Sequence, residues 1–375
     1  MKRIYLITAL HASVHAPFLG SKVIVSLLAL KLGADPSMVG LLIGCYAVPP
    51  LLLGVLAGRL VDRIGMRVPM LIGAACIGSA MVMGYLWNAL YALFAVAFLV
   101  GIGFVLFMIA VQNLVGALEG NRSTNYSILT IGYSISNFVG PMVAGYAIEY
   151  MGHVPAFLVF AWFPLPAILA LAIYGALTRV AAPPPPEKAG SAADLLKMGP
   201  LRRTILISGL QMAAWELYIF FIPVYGHTID LSPSTIGNIL ASFAVATFVI
   251  RFALPALTAR YPVESVLSVA MLTAGAASLV IPFAQSVPVL MAASIVIGLG
   301  LGCGHPLSLT LSFERSPKGR SGEVAGVRVT VTNFMRAAVP MLSGTFGAVL
   351  GPAAVFIMDA VILAGTGWLA RRIDA

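Results

Sequence analysis

Apolar runs as long as a bilayer is thick follow one another along this chain almost without interruption, and they restrict it to one class of fold. A helix needs about 20 apolar residues to cross the hydrocarbon core. Runs of that size lie at 4–30, 38–58, 68–86, 89–114, 126–148, 155–177, 204–226, 234–255, 263–284, 288–313, 327–349 and 352–370, which predicts an all-α membrane protein with twelve transmembrane helices. Pro49, Pro50, Pro164 and Pro166 are expected to kink their helices rather than end them. With 60% hydrophobic residues, 9% charged residues and a mean hydropathy of +1.00, a water-soluble globule would expose large apolar patches, so membrane lipid is the solvent. The first helix follows Lys2 and Arg3 directly, with no small-residue cleavage site, and is expected to remain as an anchor.

The formal charge of +9 does not point to nucleic acid, because Lys and Arg sit in short clusters between apolar runs instead of gathering on one face. It sets orientation instead. With both termini cytoplasmic, eighteen of the 22 Lys and Arg residues fall on the cytoplasmic side, only Lys31 faces the opposite side, and Lys22, Arg251 and Arg336 lie within spans. Cys45, Cys76 and Cys303 fall inside apolar segments with no paired spacing, so packing residues are expected rather than disulfides or metal ligands.

A polar stretch from about Arg179 to Arg203, with Pro183–Pro186 followed by Glu187, Lys188, Asp194 and Lys197, cannot bury itself in lipid or pack a core. It divides the chain into a six-helix bundle at 1–178, a cytoplasmic linker at 179–203 and a second six-helix bundle at 204–375. The halves repeat. Ala34-Asp-Pro-Ser-Met-Val-Gly40 corresponds to Leu231-Ser-Pro-Ser-Thr-Ile-Gly237, and the same offset carries Gly101 and Gly103 onto Gly298 and Gly300. With two more residues, Pro141, Gly145 and Gly152 match Pro340, Gly344 and Gly351. Parallel repeats of six helices build a large class of transporters that hold solute between the halves near mid-membrane.

After the second span comes Gly58-Arg-Leu-Val-Asp-Arg-Ile-Gly-Met-Arg67, which resembles the G-x-L-x-D-R-x-G-x-R signature of the major facilitator superfamily. Helix number, linker and repeat offset extend the resemblance over the whole chain, and the likeness is to bacterial drug or metabolite:proton antiporters of the inner membrane. Physically the segment is a tight cytoplasmic turn, with Gly58 and Gly65 letting two helices meet closely and Arg63 and Arg67 holding the turn at lipid headgroups. The resemblance implies that Asp62 docks on the start of the eleventh helix and latches the cytoplasmic side shut; an anion at a helix N-terminus is stabilising. A second element, Asn137-Phe-Val-Gly-Pro-Met-Val-Ala-Gly145 preceded by Gly132, is similar to the glycine-rich segment of exporters in this family. Gly132, Gly140, Pro141 and Gly145 either serve that rocking motion or simply allow ordinary close packing. One departure stands out: the fourth span reads Ala97-Phe-Leu-Val-Gly-Ile-Gly103, without the Arg and Gln with which related exporters relay a proton.

Ionisable groups inside spans are costly and therefore mark function. His11, His15 and Lys22 fall within about 40° of one another on a wheel of ~100° per residue, so they share a face. They suit proton coupling or anion binding; alternatively Lys22 snorkels to the outer headgroups and each His bonds a neighbouring helix. The seventh span carries Gln211, Trp215, Glu216 and Tyr218. Glu216 can turn toward a central cavity, where a desolvated carboxyl could load and unload a proton; alternatively it pairs structurally with Lys22 or Arg251. Asp359 in the last span has the same two readings. Asn333 and Arg336 in the eleventh span match Ser134 and Asn137 in the fifth, which suggests paired walls of one cavity. Arg336 offers a planar fork suited to carboxylate or phosphate, or else makes an ion pair between the halves. Arg251 lies nearer the cytoplasm, as gate or structural charge, and His305 follows a run of glycines that permits close packing.

The resulting expectation is a secondary transporter working by alternating access: proton-coupled export of a small, anionic organic solute, with proton-coupled uptake of an organic acid as the alternative. No His-Glu-x-x-His, Gly-x-Ser-x-Gly or Walker-type loop occurs, so neither an enzyme nor an ATP-driven pump is expected. No cofactor, metal or nucleic acid is called for, and the protein is expected to act as a monomer.

Overall fold

The computed structural model describes residues 2–119, 122–178, 192–317 and 321–373. All regular structure among them is helical: α1 (Lys2–Lys31), α2 (Pro36–Ile64), α3 (Arg67–Leu86), α4 (Leu90–Ala117), α5 (Arg122–Met151), α6 (His153–Ala161), α7 (Leu165–Ile173), α8 (Ala192–Lys197), α9 (Gly199–Thr228), α10 (Pro233–Arg260), α11 (Val263–Ser278), α12 (Val287–Glu314), α13 (Ser321–Leu350) and α14 (Pro352–Arg371). Eleven spans among the described residues are long and apolar enough to cross a membrane. The remaining long helix is α13, whose Arg328, Asn333 and Arg336 lower its hydropathy although its 30 residues suffice in length.

The chain forms two compact units. The first comprises Met1–Asp35, Leu42–Pro185 and Asp230–Ala241; the second comprises Pro36–Leu41, Pro186–Ile229 and Ser242–Ala375. In the first, α1 is enclosed by α5, α4 and α6, while α3 lies on α4, α6 and α7. In the second, α9 takes the corresponding enclosed place against α13, α14 and α12, and α11 packs on α14 and α12. Helices α1 and α9 bury the largest share of their surfaces, as expected of helices apolar on all sides.

Two helix ends therefore pack away from their own half of the sequence. The start of α10 belongs to the first unit, where a Cβ on Gly237 would stand 3.3 Å from the Cα of Gly145. There Glu149 accepts the Ser234 N–H at 2.9 Å and Tyr146 accepts from Asn238 at 3.3 Å. The carboxylate meets the positive end of α10, a stabilising arrangement. The start of α2 belongs to the second unit, where a Cβ on Gly40 would lie 2.8 Å from the Cα of Gly344. Only glycines permit backbones so close.

In each unit an arginine caps carbonyls of the turn that follows α7 or α14. Arg3 Nε and Nη2 donate to the Leu177 carbonyl at 3.1 and 2.7 Å, and Arg203 Nη1 donates to the carbonyls of Arg372 and Ile373 at 2.5 and 3.2 Å. These carbonyls have no intrahelical donor, and a cation is favoured there.

Several expectations need correction. Pro49 and Pro50 sit inside an uninterrupted α2, but the sixth span divides into α6 and α7 around Pro164 and Pro166. Two prolines in three residues remove consecutive helical donors, and the amides of Phe163 and Leu165 settle for carbonyls three residues back. The ninth span likewise ends at Ser278 and continues as a 3-10 turn over Ile281–Phe283. Residues 179–191 of the linker lie outside the described residues; its end is the short α8, anchored by buried Leu195 against Leu201, Ile205 and Val324.

The turn after α2 also departs from expectation. Gly65 has a φ of +80°, which explains a glycine there by conformation, whereas Gly58 faces open space instead of a neighbouring helix. Arg59 and Arg63 are exposed. Arg67 is engaged within the protein: Nε and Nη2 donate to the carbonyls of Leu171 and Ala172 at 2.8 and 2.7 Å. Arg67→Ala should destabilise the protein by about 1.5–3 kcal/mol, the range for hydrogen bonds from a charged donor, seen as a lower melting temperature that Arg67→Lys restores only in part. The side chain of Asp62, on which the latch depends, lies outside the described residues.

Candidate functional site

The second unit brings the deepest charges together. Glu216 is on α9 and Arg336 on α13, fifteen residues from the start of that helix and so about 22 Å along it at ~1.5 Å per residue. Arg336 Nε donates to Glu216 Oε1 at 2.8 Å, and Nη2 donates to the same oxygen. The side chains are 20% and 4% exposed, so the carboxylate is buried and the guanidinium half-buried. The Arg336–Glu216 pair thus lies within one unit instead of joining the halves.

Around the pair stand the other polar residues of α9. Gln211 donates to the Leu301 carbonyl at 3.3 Å, while its buried Oε1 has no hydrogen-bond partner among the described residues. Trp215 is half-buried, with Phe243 edge-on at 4.8 Å between centroids. Tyr218 is fully buried, stacks on Phe243 at 4.5 Å and donates to Ser294 at 2.6 Å, which identifies it as a packing residue. Asn333 is half-buried on α13. His305 on α12 is exposed, within electrostatic range of Arg328, Arg251 and Arg336. Asp359 is fully buried and accepts a hydrogen bond from Ser278 at 2.8 Å.

The first unit holds a column of rings along α1. His11 and His15 stack with centroids 5.2 Å apart, His15 meets Phe18 at 5.5 Å, and the Lys22 ammonium lies 4.5 Å from the Phe18 ring centre. Tyr133 of α5 stands edge-on to both histidines, at 4.3 and 5.2 Å. Lys22 is only 3% exposed, so it does not snorkel outward; its charge is held over aromatic faces. His11 is 1% exposed and neither ring nitrogen has a hydrogen-bond partner among the described residues. Asn137 spends its amide on its own helix, donating to the Tyr133 carbonyl at 2.8 Å. Gly132 and Gly140 face the backbone of α1 at Thr8 and Ala16, where any Cβ would clash, so they pack α5 on α1.

One residue escaped the sequence reading. Arg328 counts as a cytoplasmic charge if the helix starts at Val327, but α13 starts at Ser321 and leaves Arg328 7% exposed. Its Nε donates to Ser208 at 3.0 Å and its Nη2 to Ser308 at 3.4 Å. The spacing Arg328, Thr332, Arg336 in steps of four, one face of a helix, was the available signal. No group of His, Cys, Asp and Glu among the described residues is arranged to hold a metal ion.

The family model of the Major Facilitator Superfamily matches residues 4–229 and 204–374. The chain is 28% identical over 253 residues to the multidrug efflux pump Tap of Mycobacterium bovis (strain BCG / Pasteur 1173P2) and of Mycobacterium tuberculosis (strain ATCC 25618 / H37Rv), covering 64% of this chain and 59% of each relative. The chain thus spans under two thirds of the length of these relatives. Among solved structures it is similar to a variant of the nucleoside transporter NupG, with a TM-score of 0.83 at 12% identity over 99% of this chain and 100% of that one. It is also similar to a POT family transporter in complex with a thioalcohol conjugated peptide, with a TM-score of 0.82 at 15% identity over 99% and 96%. At such identities the likeness speaks for the fold, and the family model speaks for descent: the chain belongs to the Major Facilitator Superfamily.

Proposed function

We propose that the protein moves a small organic anion together with a proton, the charge of Arg336 passing between Glu216 and the solute. The observation that carries this reading is the Arg336–Glu216 pair in the middle of two long helices. A permanent charge at that depth persists only with a partner. When a carboxylate takes the guanidinium, Glu216 loses the Arg336 charge that favours its ionised form, and its proton affinity rises. Conversely, protonating Glu216 frees Arg336 for the anion. Each event favours the other, and the linkage is reciprocal.

Joint binding sets a direction. Driven by an inward proton gradient across a bacterial inner membrane, with both termini cytoplasmic as the charge asymmetry supports, a co-bound pair gives uptake of an organic acid. Export is the second reading, favoured by the similarity to Tap; it requires proton and solute to compete. Binding of a carboxylate panel to the purified protein over pH separates the two. Affinity that rises as pH falls is expected, and affinity that falls with pH in the same range would establish competition and export. In either reading the protein works by alternating access as a monomer.

A further inference from the structure

We propose that Arg328 is a second anion subsite, so that the solute is a dicarboxylate, one group held by Arg336 and the other by Arg328; this rests on the anion reading above. Arg328 is almost wholly buried, yet no ion pair involving it occurs among the described residues. Its two partners are neutral. Ser208 and Ser308 spend their own protons on the carbonyls of Thr204 and His305, at 3.1 and 3.2 Å, and offer Arg328 only lone pairs. Two of the five guanidinium donors are engaged, which leaves three with no partner among the described residues.

Both arginines lie inside the same unit on α13 and within electrostatic range of His305, but Arg336 has a carboxylate and Arg328 has none among the described residues. A buried guanidinium held by hydroxyls alone is strongly uncompensated, and the group that completes it is an anion. Eight residues, about 12 Å of helical rise, separate the two α-carbons along α13. His305, exposed in range of both, marks common ground that one flexible solute can span. When such a solute binds, its first carboxylate replaces Glu216 on Arg336, Glu216 takes one proton, and its second carboxylate neutralises Arg328. The site then carries no net charge from these groups.

The test uses the full-length purified protein and two matched series, straight-chain dicarboxylates from succinate to suberate and monocarboxylates of equal length, with binding read by calorimetry near neutral pH. In wild type, at least one dicarboxylate should bind about 10-fold tighter than its matched monocarboxylate, the weight of one charged hydrogen-bonded contact. Arg328→Gln should erase that difference by lowering dicarboxylate affinity. Arg328→Lys keeps the charge and the fold and should retain part of the preference. Absence of a dicarboxylate preference in wild type, with both series lost in Arg336→Gln, overturns the second subsite and leaves the anion reading standing. Equal loss of both series in Arg328→Gln makes Arg328 a positioning residue and also overturns it. If no carboxylate binds, or Arg336→Gln binds as wild type does, both readings fail together.

Discussion

Replacing Glu216 with glutamine is expected to uncouple transport from the proton gradient while leaving the anion site open. The amide keeps the shape of the side chain but can neither hold Arg336 as a counter-ion nor accept a proton. Anion binding to Glu216→Gln should therefore become independent of pH across the range in which wild type responds, with affinity at least equal to that of wild type at its optimum. In proteoliposomes, accumulation driven by a pH gradient should fall to the level of equilibration, whereas exchange of labelled for unlabelled solute continues. Accumulation at the normal rate would place the proton carrier elsewhere, and His15 or Asp359 would be examined next. Asp359 is the weaker of the two, because it is enclosed and already bonded to Ser278.

Arg336→Gln is expected to fail in both binding and stability. A carboxylate solute loses a bidentate, charge-assisted contact, which costs about 1.5–3 kcal/mol, or roughly 10- to 100-fold in affinity. Removing the guanidinium also takes a charge-assisted hydrogen bond from the enclosed Glu216, which costs about 1.5–3 kcal/mol of stability. Both should be measurable in detergent, as lost anion binding and a lowered melting temperature. The double variant Arg336→Gln with Glu216→Gln removes both charges and should regain most of the stability, yet bind no anion. If the double variant melts as low as Arg336→Gln, the loss comes from packing on α13 rather than from the unpaired carboxylate. An Arg336→Gln protein that still binds anions as tightly as wild type would leave the pair with a structural role only.

The helices were legible because apolar length is a coarse signal that lipid enforces. Their ends were less so. The sixth span looks continuous by hydropathy, yet Pro164 and Pro166 withdraw two backbone donors within one turn and split it. At α13 the error had consequences: its first turns are polar, hydropathy starts the helix too late, and Arg328 was assigned to the membrane surface. Glu216 and Arg336 could each be singled out beforehand because charges at that depth are few. Serines 208 and 308 could not, since a hydroxyl that accepts from an arginine looks like any other small residue in a helix. Likewise Arg67 read as a headgroup anchor, because the carbonyls it caps on α7 lie 104 residues along the chain.

The allotment of helix ends between units has a consequence for how the protein is made. Asp230–Ala241 belongs to the first unit, so that unit is incomplete when the linker leaves the ribosome. The surface on α5 around Gly145 and Glu149 waits for Gly237 and Ser234. At about 5–20 residues per second the wait lasts on the order of several seconds, and during it the first unit must stay inserted with a glycine-lined face uncovered. Symmetrically, Pro36–Leu41 is synthesised early but belongs to the second unit, so it has no settled place until Gly344 emerges. Biogenesis of this protein is therefore not the sequential folding of two finished bundles: the first half becomes complete only once the second has begun.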